Sequence, residues 1–425
     1  MNAEAFTATS RIEQTYLART RASAEAFDRA AHVLPGGNTR QPAFWKPYPL
    51  TIERARGFEL LDVDGNRYID LNNNYTSLVH GHAYPPVVEA VREQVERGSG
   101  WAAGAVAQVS LARQIVDRVP SIERIRFTNS GTEAANLALA MARAITGRPK
   151  VLMARHGYHG SLVEFESGHM NRPWIMTSLA DFNDAESFVG VLQAQAEGIA
   201  AVFLEPVLGA GGIIPATPGF LRVVMKAARS AGVLFVLDEV LTFRLATGGL
   251  QAELGLAPDL TMLGKFIGGG YPVGAVGGRA DLMKVLEPDE GSVFHGGTFN
   301  GNPVTMAAGS VAVRELTAAR MDRMAEQAEL LGDALRLAAE QLGLPLTLGR
   351  IGSLMNLHFI ERSPAPSAHR DAGRLMSLFH LAALNRGVFI APRGLIALST
   401  ACTDAVMADA AKRLAAAMKD VADEL

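Results

Sequence analysis

Cysteine is almost absent from this chain of 425 residues: Cys402 stands alone, so no intrachain disulfide can form and a reduced cytoplasmic setting is expected. An excess of one charge is missing too. Forty Lys and Arg face 43 Asp and Glu, a formal net charge of −3, and no basic run stands out. That balance argues against a nucleic-acid binder. Nowhere do about 18 apolar residues run uninterrupted, so no membrane span is expected. Met1 to Thr20 mixes apolar residues with Arg11, Glu13 and Arg19 and lacks the apolar centre of a signal peptide. No G-x-G-x-x-G follows an early strand, which removes the main signal of a Rossmann dinucleotide site. Internal repeats and low-complexity tracts are absent, and no metal site is expected.

What is present is apolar bulk: 48% of the residues are hydrophobic, enough for a large core shared between two subdomains. Residues 11–33 are rich in helix formers and stop at Leu34-Pro35-Gly36-Gly37. Phe58–Val63 and Arg67–Leu71 flank Asp64-Gly65-Asn66 and read as a hairpin. Helices are expected over Pro85–Arg97 and Ser110–Val119. From there strands at Arg124–Thr128, Lys150–Ala154, Ala200–Glu205, Val233–Asp238 and Leu260–Leu263 alternate with helices at 131–146 and 219–231. Runs such as Val233-Leu234-Phe235-Val236-Leu237 show no polar alternation, as strands covered on both faces do. The pattern predicts βαβ units in a mostly parallel sheet. After about residue 318 the composition turns to Ala/Leu/Arg/Glu helices, with strands near Leu354–Phe359 and Gly387–Ile390. Pro364 to Ser367 reads as an exposed loop. The expected division is an N-terminal segment (1–65) packing with the small domain, a large domain (66–318) and a small α+β domain (319–425).

Three places carry chemistry. Strand 124–128 runs into Asn129-Ser130-Gly131-Thr132-Glu133 and a helix. Ser130 and Glu133 have capping-box spacing, and free N–H groups with the helix dipole favour an anion there. Alone, this is also what any capped helix looks like. Asp238 sits at the C-terminal end of a buried strand, where open α/β sheets bind ligands. A carboxylate there can pair with a protonated pyridine nitrogen, although a lone Asp is commonly a solvated loop acid. Lys265 follows the next strand, 27 residues on, between Gly264 and Gly268-Gly269-Gly270. A lysine that forms a Schiff base needs a shielded strand end with small backbone neighbours, and one cofactor could touch both Asp238 and Lys265.

These residues resemble the class III aminotransferases, a branch of the fold-type I pyridoxal 5'-phosphate (PLP) enzymes, over Leu34 to about Ala408. The matching stretches are Thr128–Ala134, His156-Gly-Tyr-His-Gly160, Glu205-Pro206, Leu237-Asp-Glu-Val240, Leu263–Gly270 and Gly297-Thr-Phe-Asn-Gly-Asn302. Each is weak by itself, but six in the right order are specific. The resemblance implies an α/β fold with a mostly parallel seven-stranded sheet, PLP as cofactor, and a homodimer with shared active sites. By position it implies that Lys265 carries PLP and moves the proton, Asp238 pairs with the pyridine nitrogen, and Val240 lies under the ring. Ser130, Gly131 and Thr132 would hold the phosphate, and Tyr158 would stack on the other ring face. His159 would belong to the cofactor site, Glu205 would help to order Asp238, and Thr298 would reach the partner subunit's phosphate.

Within the class, Gly274–Arg279 and the Lys265 segment resemble glutamate-1-semialdehyde aminomutases. Arg393, after Ala391-Pro392, and Gly36–Arg40 resemble instead the aromatic β-amino acid aminotransferases of the β-phenylalanine type. A β-amino acid donor and a 2-oxo acid acceptor such as 2-oxoglutarate both bring carboxylates, which arginines bind bidentately. Arg40 and Arg393 are the expected substrate contacts, with Arg393 open to the simpler reading of a surface residue after proline. The leading expectation is a β-amino acid aminotransferase. An aminomutase, an amine:pyruvate transaminase, and a non-enzymatic PLP-binding homologue are the alternatives.

Overall fold

A computed structural model describes residues 7–162, 176–360 and 373–425; the expected loop at Pro364–Ser367 lies outside the described residues. The described residues form two compact units, one from those up to Thr76, those of His80–Tyr84 and those from Asp322 onward, the other from Ser77–Val79 and the described part of Pro85–Met321.

The second unit is built on a seven-stranded sheet. Its strands lie in the order Arg124–Thr128, Gly274–Gly278, Leu260–Gly264, Leu234–Asp238, Ile199–Leu204, Lys150–Ala154 and Thr177–Ala180. Gly274–Gly278 runs antiparallel to both neighbours, and the other pairings are parallel. Strands such as Ile199–Leu204, buried along their whole length and without polar alternation, owe that composition to cover on both faces. The side-chain period of two divides each strand between two cores. Val151, Met153, Ala201, Phe203 and Val236 pack with the helix Gly131–Thr146. Leu152, Ala154, Val202, Leu204, Phe235 and Leu237 pack with Phe188 and Leu192 and with Phe220, Leu221, Val224 and Met225 of the helix Phe220–Ser230. Each large side chain fully buried here contributes roughly 1.5–3 kcal/mol.

Two consequences follow for function. Parallel strands bring their C-terminal ends to one sheet edge, so Asp238, which ends its strand, and Asn129, Arg155, Glu205 and Lys265, which follow theirs, come to the same edge. The antiparallel strand then sets Gly274 opposite Gly264 on one side and Thr128 on the other.

The first unit carries a four-stranded sheet, Ile52–Arg56, Glu59–Asp62, Arg67–Asp70 and Val388–Phe389, and a three-stranded one, Thr347–Ile351, Leu354–His358 and Leu395–Ala397. The expected hairpin at Asp64–Asn66 is present: Glu59 pairs with Ile69 and Leu61 with Arg67. The expected helix 11–33 is two helices, Arg11–Arg19 and Arg21–Ala31. The chain breaks at Thr20 (φ −128°, ψ 41°), whose hydroxyl donates to the Tyr16 carbonyl at 2.6 Å. Threonine competing for a backbone carbonyl is a known helix interrupter. The helix expected from Ser110 begins at Val106 instead, where Gln108 accepts from the Ala105 N–H.

Candidate active site

The anion cradle is a strand–turn–helix. Ser130 is the N-cap of Gly131–Thr146, its hydroxyl accepting the Glu133 N–H at 3.1 Å. The expected reciprocal bond is displaced by one residue: the Glu133 carboxylate accepts the Asn129 N–H at 2.8 Å and the Asn129 amide at 3.1 Å. Glycine keeps this turn accessible. A Cβ on Gly274 would lie 2.0 Å from the Ser130 carbonyl oxygen and 2.5 Å from Thr128 Oγ1. Gly160, at φ +94°, brings its backbone so close to Thr132 that a Cβ would meet its Cα at 2.7 Å. The Ser161 N–H then donates to Thr132 Oγ1 at 3.3 Å. Val240 is wedged between Gly131 and Gly264, its Cγ1 3.3 and 3.2 Å from where their Cβ atoms would stand.

Behind the cradle lies a buried acid–imidazole pair. His159 Nδ1 stands 2.8 Å from Asp238 Oδ2, and Asp238 Oδ1 accepts the Val240 N–H at 3.0 Å. Burial opposes a charge on His159, but the hydrogen bond to Asp238, the nearby Glu205 and the Phe203 carbonyl outweigh it and push its pKa up. Burial also pushes Glu205 up to about 7, with His159 pulling the other way and Asp238 adding to the rise. Glu205 accepts the Tyr158 N–H at 3.0 Å and the Gly209 N–H at 3.1 Å, so its direct hold is on the Tyr158 loop and its link to Asp238 is electrostatic. Tyr158 itself is 53% exposed, which leaves its ring available to a ligand. Glu239, which the sequence reading passed over, is fully buried and anchors the following loop through Thr242, Leu250 and Gln251.

Lys265 follows the strand Leu260–Gly264 with φ +53°. A left-handed conformation costs an L-residue on the order of 1–2 kcal/mol, and such outliers concentrate at functional positions. The strand register sets Asp238 beside Met262, three residues before this lysine. Thr298 is exposed on a loop whose Asn300 accepts from the Asn129 amide at 2.8 Å, tying it to the cradle.

Arg40 and Arg393 belong to the other unit. Arg40 Nη1 donates to Asn74 Oδ1 at 2.8 Å, and Arg393 is half-buried. Both act on Tyr75: burial raises the pKa of its phenol, and Arg393 and Arg40 pull it down. Asn74 and Tyr75 were not singled out in the sequence; the run Asn72-Asn73-Asn74 was the available signal, since asparagine tolerates the left-handed region these residues occupy.

A model of the class-III aminotransferase family matches residues 42–421. The chain belongs to the class-III aminotransferases. It is 42% identical over 393 residues to the beta-phenylalanine transaminase of Variovorax paradoxus, across 90% of this chain and 89% of that protein. It is 36% identical over 389 residues to the glutamate-1-semialdehyde 2,1-aminomutase of Methanocaldococcus jannaschii, across 87% of this chain and 91% of that one. The crystal structure of an omega-transaminase from Sphaerobacter thermophilus superposes with a TM-score of 0.90 at 36% identity, covering 94% of this chain and 98% of the other. The protein is therefore a PLP-dependent transaminase of fold type I, acting on a small-molecule amino donor and an acceptor. The geometry of this aminotransferase fits that cofactor. Its helix N-terminus at Ser130–Thr132 is kept open by Gly160 and Gly274, and a carboxylate already braced by a histidine sits at the end of the neighbouring strands. Among the described residues no cluster of His, Cys, Asp and Glu could hold a metal, and no helix is long and apolar enough to cross a membrane.

Proposed function

We propose that this enzyme transfers the amino group of a β-amino acid, aromatic as in β-phenylalanine, to a 2-oxo acid such as 2-oxoglutarate by a ping-pong mechanism. The observation that carries this reading is Arg40, held at 2.8 Å by Asn74 beside Tyr75, with Arg393 near enough to act on the same phenol. Both substrates bring a carboxylate, and a guanidinium binds carboxylate bidentately while staying charged. The 42% identity to a beta-phenylalanine transaminase points the same way.

When bound, PLP supplies an electron sink for the carbon that loses its proton. The N–H groups and hydroxyls of Ser130, Gly131 and Thr132 bind the phosphate, aided by the positive end of the helix dipole. Val240 would support one face of the ring and Tyr158 would cover the other. Asp238 would hold a proton at the pyridine nitrogen. His159 orients that carboxylate from behind, and Glu205 fixes the Tyr158 loop. Lys265 would be the covalent anchor of the cofactor, and its amine would serve to move the proton at the substrate's amino-bearing carbon. The partner subunit's Thr298 would complete the phosphate site in a homodimer, and a single thiol fits a cytoplasmic enzyme.

The test uses β-phenylalanine, 2-oxoglutarate and an aryl-alkyl amine without a carboxylate. Glutamate should form from the first two. Arg393→Ala and Arg40→Ala should each lower kcat/KM for carboxylate-bearing substrates by roughly 30- to 1000-fold, on the order of 2–4 kcal/mol, and spare the plain amine. If both variants treated all three compounds alike, the arginines would be structural, and an aminomutase or an amine transaminase would take the lead.

A further inference from the structure

Four successive non-glycine residues, Asn73, Asn74, Tyr75 and Thr76, have φ of 50°, 51°, 52° and 77°. Such a run persists only where its surroundings over-determine it. Here they do. Asp70 Oδ1 accepts the N–H groups of Asn72 at 2.8 Å and Asn73 at 2.9 Å, and Asp70 Oδ2 faces His82 Nε2 at 2.6 Å. The Asn73 amide donates to the Ala397 carbonyl at 2.7 Å. This buried anchorage ends in one exposed side chain, Asn74, whose Oδ1 accepts from Arg40 Nη1. The Tyr75 hydroxyl donates to the Pro42 carbonyl, which ties this segment to the stretch carrying Arg40, and there the Arg40 N–H donates to Asn38 Oδ1 at 2.9 Å.

The chemistry of the acceptor matters. A carboxylate at position 74 would orient Arg40 but also neutralise it. An amide oxygen orients the guanidinium and leaves its charge available. We propose that Asn74 is a specificity-determining residue, a neutral holder that positions Arg40 for a substrate carboxylate. This rests on the reading above that Arg40 binds such a carboxylate.

Asn74→Asp and Asn74→Gly both tolerate a left-handed backbone, so neither threatens the turn. KM and kcat are measured for β-phenylalanine and for an aryl-alkyl amine, at low and high salt, with Arg40→Ala alongside. Asn74→Asp should raise the KM for β-phenylalanine about fivefold with kcat unchanged, and the penalty should shrink in high salt, because an exposed ion pair is screened. Asn74→Gly should raise it roughly two- to threefold without that salt dependence, since it removes the neutral acceptor of Arg40 and adds no charge. The amine should be unaffected in both. If Arg40→Ala raises the KM for β-phenylalanine while both Asn74 variants match wild type, the inference is overturned and the Arg40 assignment stands. Equal losses on both substrates would make Asn74 structural and overturn it as well. If Arg40→Ala does not distinguish the substrates, the assignment of Arg40 falls first, and the role of Asn74 with it.

Discussion

At the scale of single residues, the site turns on what each charge is allowed to do. Asp238 is buried, yet its two oxygens are occupied by the Val240 N–H and by His159, whose raised pKa favours the protonated ring. A carboxylate so braced can keep a proton on a pyridine nitrogen, and an amide cannot. Asp238→Asn should therefore still bind PLP, read from its absorbance after desalting, while kcat falls on the order of 100- to 1000-fold. A variant turning over near the wild-type rate would remove Asp238 from that role. The strand-end positions of Asp238 and Lys265 were legible in the sequence because the one ends and the other follows a buried, unalternating strand. Asn74 and Tyr75 were not, because their importance comes from a backbone conformation and a partner 34 residues away, which no local pattern encodes.

At the scale of elements, the strand Gly274–Gly278 is the least legible piece and one of the most consequential. Gly-Ala-Val-Gly-Gly has little β propensity, and glycine within a strand usually marks close approach of another backbone. Here that backbone is the Ser130 carbonyl, 2.0 Å from where a Gly274 Cβ would stand. Overpacking of this kind costs typically 1–3 kcal/mol. Gly274→Ala should lower the melting temperature of the apo-enzyme and also weaken PLP binding at least tenfold, since relief can come only by moving the cradle. Titration of apo-enzyme with PLP checks this, and an unchanged affinity would mean that the turn and the strand are not coupled. The strands Lys150–Ala154, Ile199–Leu204, Leu234–Asp238 and Leu260–Gly264 were legible because burial on both faces leaves a compositional mark, whereas the less buried Thr177–Ala180 was not anticipated. The break at Thr20 was missed because the residues on either side of it are good helix formers, and one hydroxyl bond to the Tyr16 carbonyl decides the matter.

At the scale of the whole molecule, the described surface carries a feature a lone subunit does not explain. Phe294 is 97% exposed and Phe299 66%, on either side of the exposed Thr298. Their loop is tied to the segment carrying the exposed Trp101 and Val106, through Gln108 to the Gly301 carbonyl and Asn302 to the Ser99 carbonyl, each at 2.8 Å. Large apolar side chains held in place yet left uncovered mark an interaction surface. The expected partner is a second copy, and a two-fold axis would make every contact reciprocal. Complementation tests this directly. Lys265→Ala and Thr298→Ala chains should each be impaired as homodimers. In a heterodimer, one site receives both lesions, and the other pairs an intact Lys265 with the partner subunit's intact Thr298. Co-expression in equal amounts should then restore about a quarter of wild-type activity, because half the dimers are mixed and each has one native site. If Thr298 served its own subunit instead, every site would carry a lesion and mixing would restore nothing. A mixture with the mean activity of its two homodimers, or a fully active monomer by light scattering, would rule out the shared site.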